Sequence, residues 1–183
     1  IASRVDYVTG GVHAAISSRD LLSIVPELSD IAMVDADILL SVFSENIDPS
    51  HWPMMARRVS DKVRDGAAGV VITHGTDTMG YSASALSFAL RGLPIPVIFV
   101  GSQRSSDRPS SDAATNLIGS VTAAAKAPFA EVALAMHETT SDTCIVFHRG
   151  TRVRKCHTSS RYAFRSVSSL PLARFVDGKI EMV

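Results

Sequence analysis

Val70-Val71-Ile72-Thr73-His74-Gly75-Thr76-Asp77-Thr78-Met79 opens with an unbroken aliphatic run and closes on small polar groups. A run of that kind without polar alternation reads as a strand buried on both faces, as in a parallel sheet. Gly75 permits a tight turn after it. Beyond the turn, Met79, Ala83, Leu86 and Leu90 recur at helical spacing until Gly92 and Pro94 end the pattern. The stretch is therefore a strand, a turn and a helix in succession. Similar aliphatic runs at 38–43, 97–101, 132–135 and 144–147 read as further strands. A helix is expected over 49–65, with Asp48 as N-cap, Pro49 at the first helical position and Gly66 as the stop. Strands alternating with helices predict an α/β domain: a three-layer, Rossmann-like parallel sheet. Residues 150–169 are rich in Ser, Thr and Arg and read as a long loop with short extended pieces. Residues 171–183 read as a last strand, with Asp177-Gly178 as a turn.

The 183 residues suffice for one substantial domain, and 46% apolar residues with a mean hydropathy of +0.19 fit a packed core. Eighteen basic and eighteen acidic residues cancel, so the totals give no sign of a DNA-binding or membrane-surface protein. Charge is nevertheless uneven. No Asp or Glu lies between Thr143 and Val176, whereas Arg149, Arg152, Arg154, Lys155, Arg161, Arg165 and Arg174 do. The simpler reading is a solvated face balanced by acids elsewhere, and the sharper one is a surface for an anionic partner. Cys144 and Cys156 form no CxxC pair and no zinc pattern, which points away from a metal site and toward a reducing compartment. No apolar run reaches the ~18 residues needed to span a bilayer. A cytoplasmic protein is the expectation.

In an open parallel sheet, ligands bind beyond the carboxyl ends of the strands. Three loops should lie there: Phe43-Ser44-Glu45-Asn46, His74-Gly75-Thr76-Asp77-Thr78 and Gly101-Ser102-Gln103. Their hydroxyls, amides and carboxylates suit a small polar zwitterion. Thr76 offers a hydroxyl and Asp77 a carboxylate at a helix mouth, where the backbone N–H groups favour negative charge. A hydroxyl needs a base to become a nucleophile or proton relay, and a Lys of lowered pKa beside a carboxylate can serve. Read in isolation, Asp77 would be a helix cap and Thr76 a turn residue.

The opening stretch resembles the second signature of the bacterial-type L-asparaginase/glutaminase family. Val97-Ile98-Phe99-Val100-Gly101-Ser102-Gln103, followed by Ser111-Asp112-Ala113 and Asn116-Leu117, resembles its next block. Ser44-Glu45-Asn46 with His51-Trp52 resembles the substrate loop. Gly150-Thr151-Arg152-Val153-Arg154-Lys155 with Ala163-Phe164 resembles the segment that carries the catalytic lysine. By that resemblance Thr76, Asp77 and Lys155 carry over as catalytic residues, and Ser44, Glu45 and Ser102 as substrate contacts, with Tyr7 the candidate for the flexible-loop tyrosine. The family's first signature, Thr-Gly-Gly-Thr, ends in the acyl-accepting nucleophile and would lie immediately before Ile1. Residues 1–173 are accordingly expected to be the N-terminal catalytic domain without its first strand, and 174–183 the start of a linker to a C-terminal domain.

Within the family, Ile1-Ala2-Ser3-Arg4-Val5-Asp6-Tyr7 with Thr9-Gly10 is similar to the branch of D subunits of archaeal glutamyl-tRNA(Gln) amidotransferases. The long run from Gly101 to Asp112 is similar to that branch too. The resemblance implies a threonine-dependent glutaminase that supplies ammonia for transamidation of Glu-tRNA(Gln). It implies a homodimer joined by an E subunit that binds tRNA and uses ATP, with no cofactor in this domain. A free cytoplasmic type I L-asparaginase, acting on asparagine with the same chemistry, is the alternative. A non-catalytic amino-acid-binding domain is the third reading, and the joint presence of Thr76, Asp77 and Lys155 argues against it. His74 is expected to order its loop, Trp52 to pack on the 49–65 helix, and Met54, Met55 and Met79 to be core. His137-Glu138 has no second His four residues on and is no zinc-protease motif.

Overall fold

The computed structural model describes residues 1, 3–5, 8, 12–14 and 25–183, of which 3–5 and 12–14 are described by backbone alone. Four helices occur among them: α1 (Leu28–Ile31), α2 (His51–Arg64), α3 (Met79–Ala89) and α4 (Ala113–Lys126). Strands β1 (Ser3–Val5) and β2 (Val12–Ala14) pair as a small antiparallel ribbon. The main sheet holds β3 (Val70–Thr73), β4 (Val97–Val100), β5 (Val132–His137), β6 (Cys144–Arg149), β9 (Ala173–Val176) and β10 (Lys179–Met182), in the order β10-β9-β6-β5-β4-β3. A second ribbon joins β7 (Val153–Lys155) to β8 (Phe164–Ser166).

The three-layer α/β architecture follows from alternation along buried strands. On β4, Ile98 and Val100 face a cluster with Leu117 and Val121 of α4 and Leu28 of α1. Val97 and Phe99 face Met55 and Val59 of α2 and Met79, Ala83 and Leu86 of α3. Both faces of the sheet are thus covered, which is why β4 carries no polar residue. The sheet is parallel only over β3, β4 and β5, and β6, β9 and β10 are antiparallel to their neighbours. For β6 against β5 the physical reason is connection length. Residues 138–143 link β5 to β6, far short of the dozen or so a parallel crossover needs.

Helix α2 begins two residues later than its sequence suggests: it starts at His51, and its N-cap is Ser50, which makes no side-chain capping bond. Asp48 Oδ1 accepts from Ser50 N–H at 2.8 Å in the turn that leads into the helix, and that turn holds Pro49 ahead of the first helical residue. It ends in a Schellman motif: Gly66 has φ +87°, its N–H reaches Val63 O, and Ala67 N–H reaches Lys62 O. Asp177 and Gly178 both have positive φ, as a two-residue I′ hairpin requires, and register β9 against β10. Residues 174–183, read from the sequence as the start of a linker, lie in this hairpin at the sheet edge.

One expected strand does not form. Residues 38–43 run irregularly, with Ile38, Leu39, Val42 and Phe43 all exposed. A strand exists only with a ladder partner, and among the described residues no strand pairs with this run, which together with β3 lines a cavity of about 800 Å³. Ion pairs Asp35–Lys62 and Asp37–Arg58 tie the start of this run to α2 instead. Among the described residues, no helix is long and apolar enough to cross a membrane.

Candidate active site

Thr76 and Asp77 stand between the carboxyl end of β3 and the first turn of α3. The loop is held from behind. His74 Nδ1 lies 2.7 Å from Gly75 O, and since a carbonyl only accepts, that nitrogen carries the proton. Nε2 then accepts from the Ser82 hydroxyl at 3.0 Å, and Trp52 Nε1–H donates to the same oxygen at 3.1 Å. Burial lowers the pKa of His74, in keeping with a neutral ring that orders the loop. Phe99 meets that ring edge-on at 5.7 Å.

Lys155 arrives from 79 positions further along the chain. Its Nζ lies 2.8 Å from Thr76 Oγ1 and 2.9 Å from Asp77 Oδ1. Two glycines bring it there. Gly150 runs so close to Ala83 O and Val132 O that any added Cβ would meet both near 3 Å, and Gly80 passes under Val153 O. The 3-10 turn Gly150–Arg152 and β7 therefore lie directly against α3, and pairing with β8 (Lys155 opposite Phe164) fixes the strand's direction. The hydrogen bond from Lys155 is the main reason the Asp77 carboxyl titrates below its ordinary value, with Ser44 adding to it.

Ser44 and Glu45 belong to a one-turn 3-10 helix, Ser44–Asn46. Ser44 is buried and donates from Oγ to Asp77 Oδ2 at 3.2 Å, while Asp77 N–H donates to Ser44 Oγ at 3.3 Å. Glu45 is exposed at the mouth of the cavity beside β3, which Ser44, Thr76 and Asp77 also line. Ser102 follows β4, next to Gly101, whose Cα region faces Thr76 Cγ2, and its buried Oγ has no hydrogen-bond partner among the described residues. Four loops and strands thus converge at one sheet edge. Tyr7 lies outside the described residues. Thr78, Ser82 and Trp52 also bear on the site: Thr78 and Trp52 fall in stretches the sequence singled out without giving them a role in the site, and no local pattern marked Ser82. Trp52 and Ser82 are 30 positions apart and meet only across α2 and α3.

The basic segment is largely neutralised within the fold. Arg149 pairs with Glu131, Arg161 with Asp142 and Ser110 O, and Arg174 with Glu138. Arg165 sits over the Tyr162 ring at 5.9 Å. The solvated, internally balanced reading of that segment therefore holds for Arg149, Arg161 and Arg174. Among the described residues, no three His, Cys, Asp or Glu side chains converge as a metal set.

Residues 1–183 match the family model described as Asparaginase, N-terminal. The chain is 52% identical over 174 residues to the D subunit of glutamyl-tRNA(Gln) amidotransferase from Saccharolobus islandicus, a match that covers 95% of this chain and 39% of that protein. Identity to the corresponding D subunit from Pyrococcus furiosus is 53% over 184 residues, covering 100% of this chain and 42% of that one. Among solved structures, the thermostable L-asparaginase from Thermococcus kodakarensis superposes with a TM-score of 0.81 at 33% identity, over 100% of this chain and 52% of that one. The chain therefore spans about two-fifths of the length of these curated relatives.

Proposed function

Because this chain belongs to the asparaginase family, we propose that it forms the catalytic domain of a glutaminase that releases ammonia for amidation of Glu-tRNA(Gln). The observation that carries the catalytic reading is Lys155 Nζ bridging Thr76 Oγ1 and Asp77 Oδ1 within 3 Å of each. In this reading Lys155 and Asp77 move a proton to and from Thr76, which directs water or relays the proton to the leaving ammonia. Ser44, Glu45 and Asp77 receive the ammonium and carboxylate of the amino acid, and Ser102 offers a buried hydroxyl. In this reading backbone N–H groups near Thr76 stabilise the oxyanion that forms on the substrate amide. The N-terminus of α3 and Lys155 bring positive charge to that developing oxyanion.

The subunit reading is supported by identities of 52% and 53% to two D subunits, against 33% to a free asparaginase. It implies a cytoplasmic homodimer and an E-type partner that binds tRNA and consumes ATP, with no cofactor held here. A free L-asparaginase is the second reading, favoured by the fold match over the whole chain. A purely binding module has no use for the Thr76–Lys155–Asp77 triangle. The deciding measurement is glutaminase and asparaginase activity of the full-length protein, alone and with partner subunit, Glu-tRNA(Gln) and ATP. Stimulation of glutamine hydrolysis by that mixture is expected. Full-speed asparagine hydrolysis without a partner would transfer the assignment to the free enzyme.

A further inference from the structure

Thr78 occupies the N-cap position of α3, where a threonine hydroxyl ordinarily accepts from an N–H of the first turn. It makes no such bond. Its Oγ1–H donates instead to Ser44 O at 2.7 Å, 34 positions away. That same carbonyl accepts from Ile47 N–H at 3.0 Å, the bond that closes the 3-10 turn presenting Glu45. Ser44 and Asp77 exchange two further bonds beside it, and a Cβ on Gly75 would come within 2.6 Å of the Ser44 side chain. The loop 43–47 has few other anchors, since Phe43 and Glu45 are exposed and Ile47 only half-buried. We infer that Thr78 is a positioning residue: its hydroxyl gives up helix capping to lock the Ser44–Asn46 turn onto the Thr76–Asp77 loop, setting the distance between substrate-holding and proton-moving groups.

The consequence for substrate rests on the proposed amidohydrolase reading, whereas the lock itself does not. Two variants of the full-length protein separate them. Thr78→Val keeps the shape and removes the donor, and Thr78→Ser keeps the donor. In T78V, KM for the amide substrate should rise about tenfold or more with kcat within about threefold of the parent, because the substrate turn loosens while Thr76 and Lys155 stay in place. T78S should return KM to within about twofold. Hydrogen exchange reads the lock without turnover: the Asn46 and Ile47 amides should exchange about tenfold faster in T78V, with those of Tyr81 and Ser82 in the first turn of α3 unchanged. Unaltered exchange at Asn46 and Ile47, or faster exchange confined to α3, would overturn the inference and return Thr78 to an ordinary helix start. An unchanged KM in an active T78V enzyme would overturn its functional half. A parent with no amidase activity would instead defeat the proposed function, and the exchange comparison would still decide the lock.

Discussion

Lys155 meets two oxygens at once, and its partner Asp77 keeps 61% of its side chain exposed. An ion pair that open is worth little to stability, so its loss should be felt in chemistry instead. Lys155→Met in the full-length protein is expected to lower kcat on the order of 10²–10⁴-fold, as for a positioned acid–base group, with KM nearly unchanged. A rise in KM alone would make Lys155 a substrate anchor. Thr76→Val removes one hydroxyl from a half-buried loop position, and its expected outcome is loss of turnover with an unaltered thermal midpoint. Asp77→Asn should come close to the same loss. Near-parental rates in a folded Thr76→Val protein would restore the plain turn reading of this residue.

At the scale of elements, the site depends on β4 as much as on the loop that bears Thr76. Phe99 is fully buried on the face of β4 that α2 and α3 cover, and its ring also seats His74. Phe99→Ala should cost about 3–5 kcal/mol, the range for truncating a core aromatic. Denaturant unfolding measures it, and a loss under about 1 kcal/mol would mean that the face can collapse around the gap. The run 32–45 is a contrasting case. Its charged ties to α2 are solvent-exposed pairs, which water screens and which add little to stability. Its aliphatic residues resemble a strand because β-propensity describes fit to a half-buried pleated surface. Without a neighbouring strand they have no such surface. Helix α4 is faint in the sequence for a related reason: Ala and Gly fill much of it, and Leu117, Val121 and Ala124 mark its buried face only weakly against that background.

Over the whole molecule, the pH response of stability follows from histidines held neutral. His148 is 4% exposed, bonds Ser166 through Nδ1, and burial depresses its pKa to about 4. Its folded pKa lies below the unfolded value of about 6.5, so the unfolded chain binds the extra proton between those limits and stability falls as pH drops through that window. On the order of 3 kcal/mol should be lost by pH 4, and His148→Gln should flatten the profile. His74, lowered by burial as well, acts in the same direction. Asp77 acts in a lower window, contributing above about pH 4 and losing its contribution as acid protonates it. A denaturation midpoint constant from pH 6.5 to 4.5 would contradict the assignment for His148. The sequence by itself determined the βα unit around Thr76 and Asp77, the Gly66 stop of α2, the I′ turn at Asp177-Gly178, the layer class and the family. These rest on local chemistry: side-chain periodicity, glycines where φ must be positive, and short ordered motifs. Only the tertiary structure decided that the sheet turns antiparallel after β5, that 38–43 lacks a partner, that Arg161 and Arg174 pair with Asp142 and Glu138, and that Thr78 holds Ser44 instead of capping its helix. In each of these a donor or a strand edge chose among partners tens of residues away, and which partner wins is set by distance in space, a quantity that residue spacing along the chain does not contain.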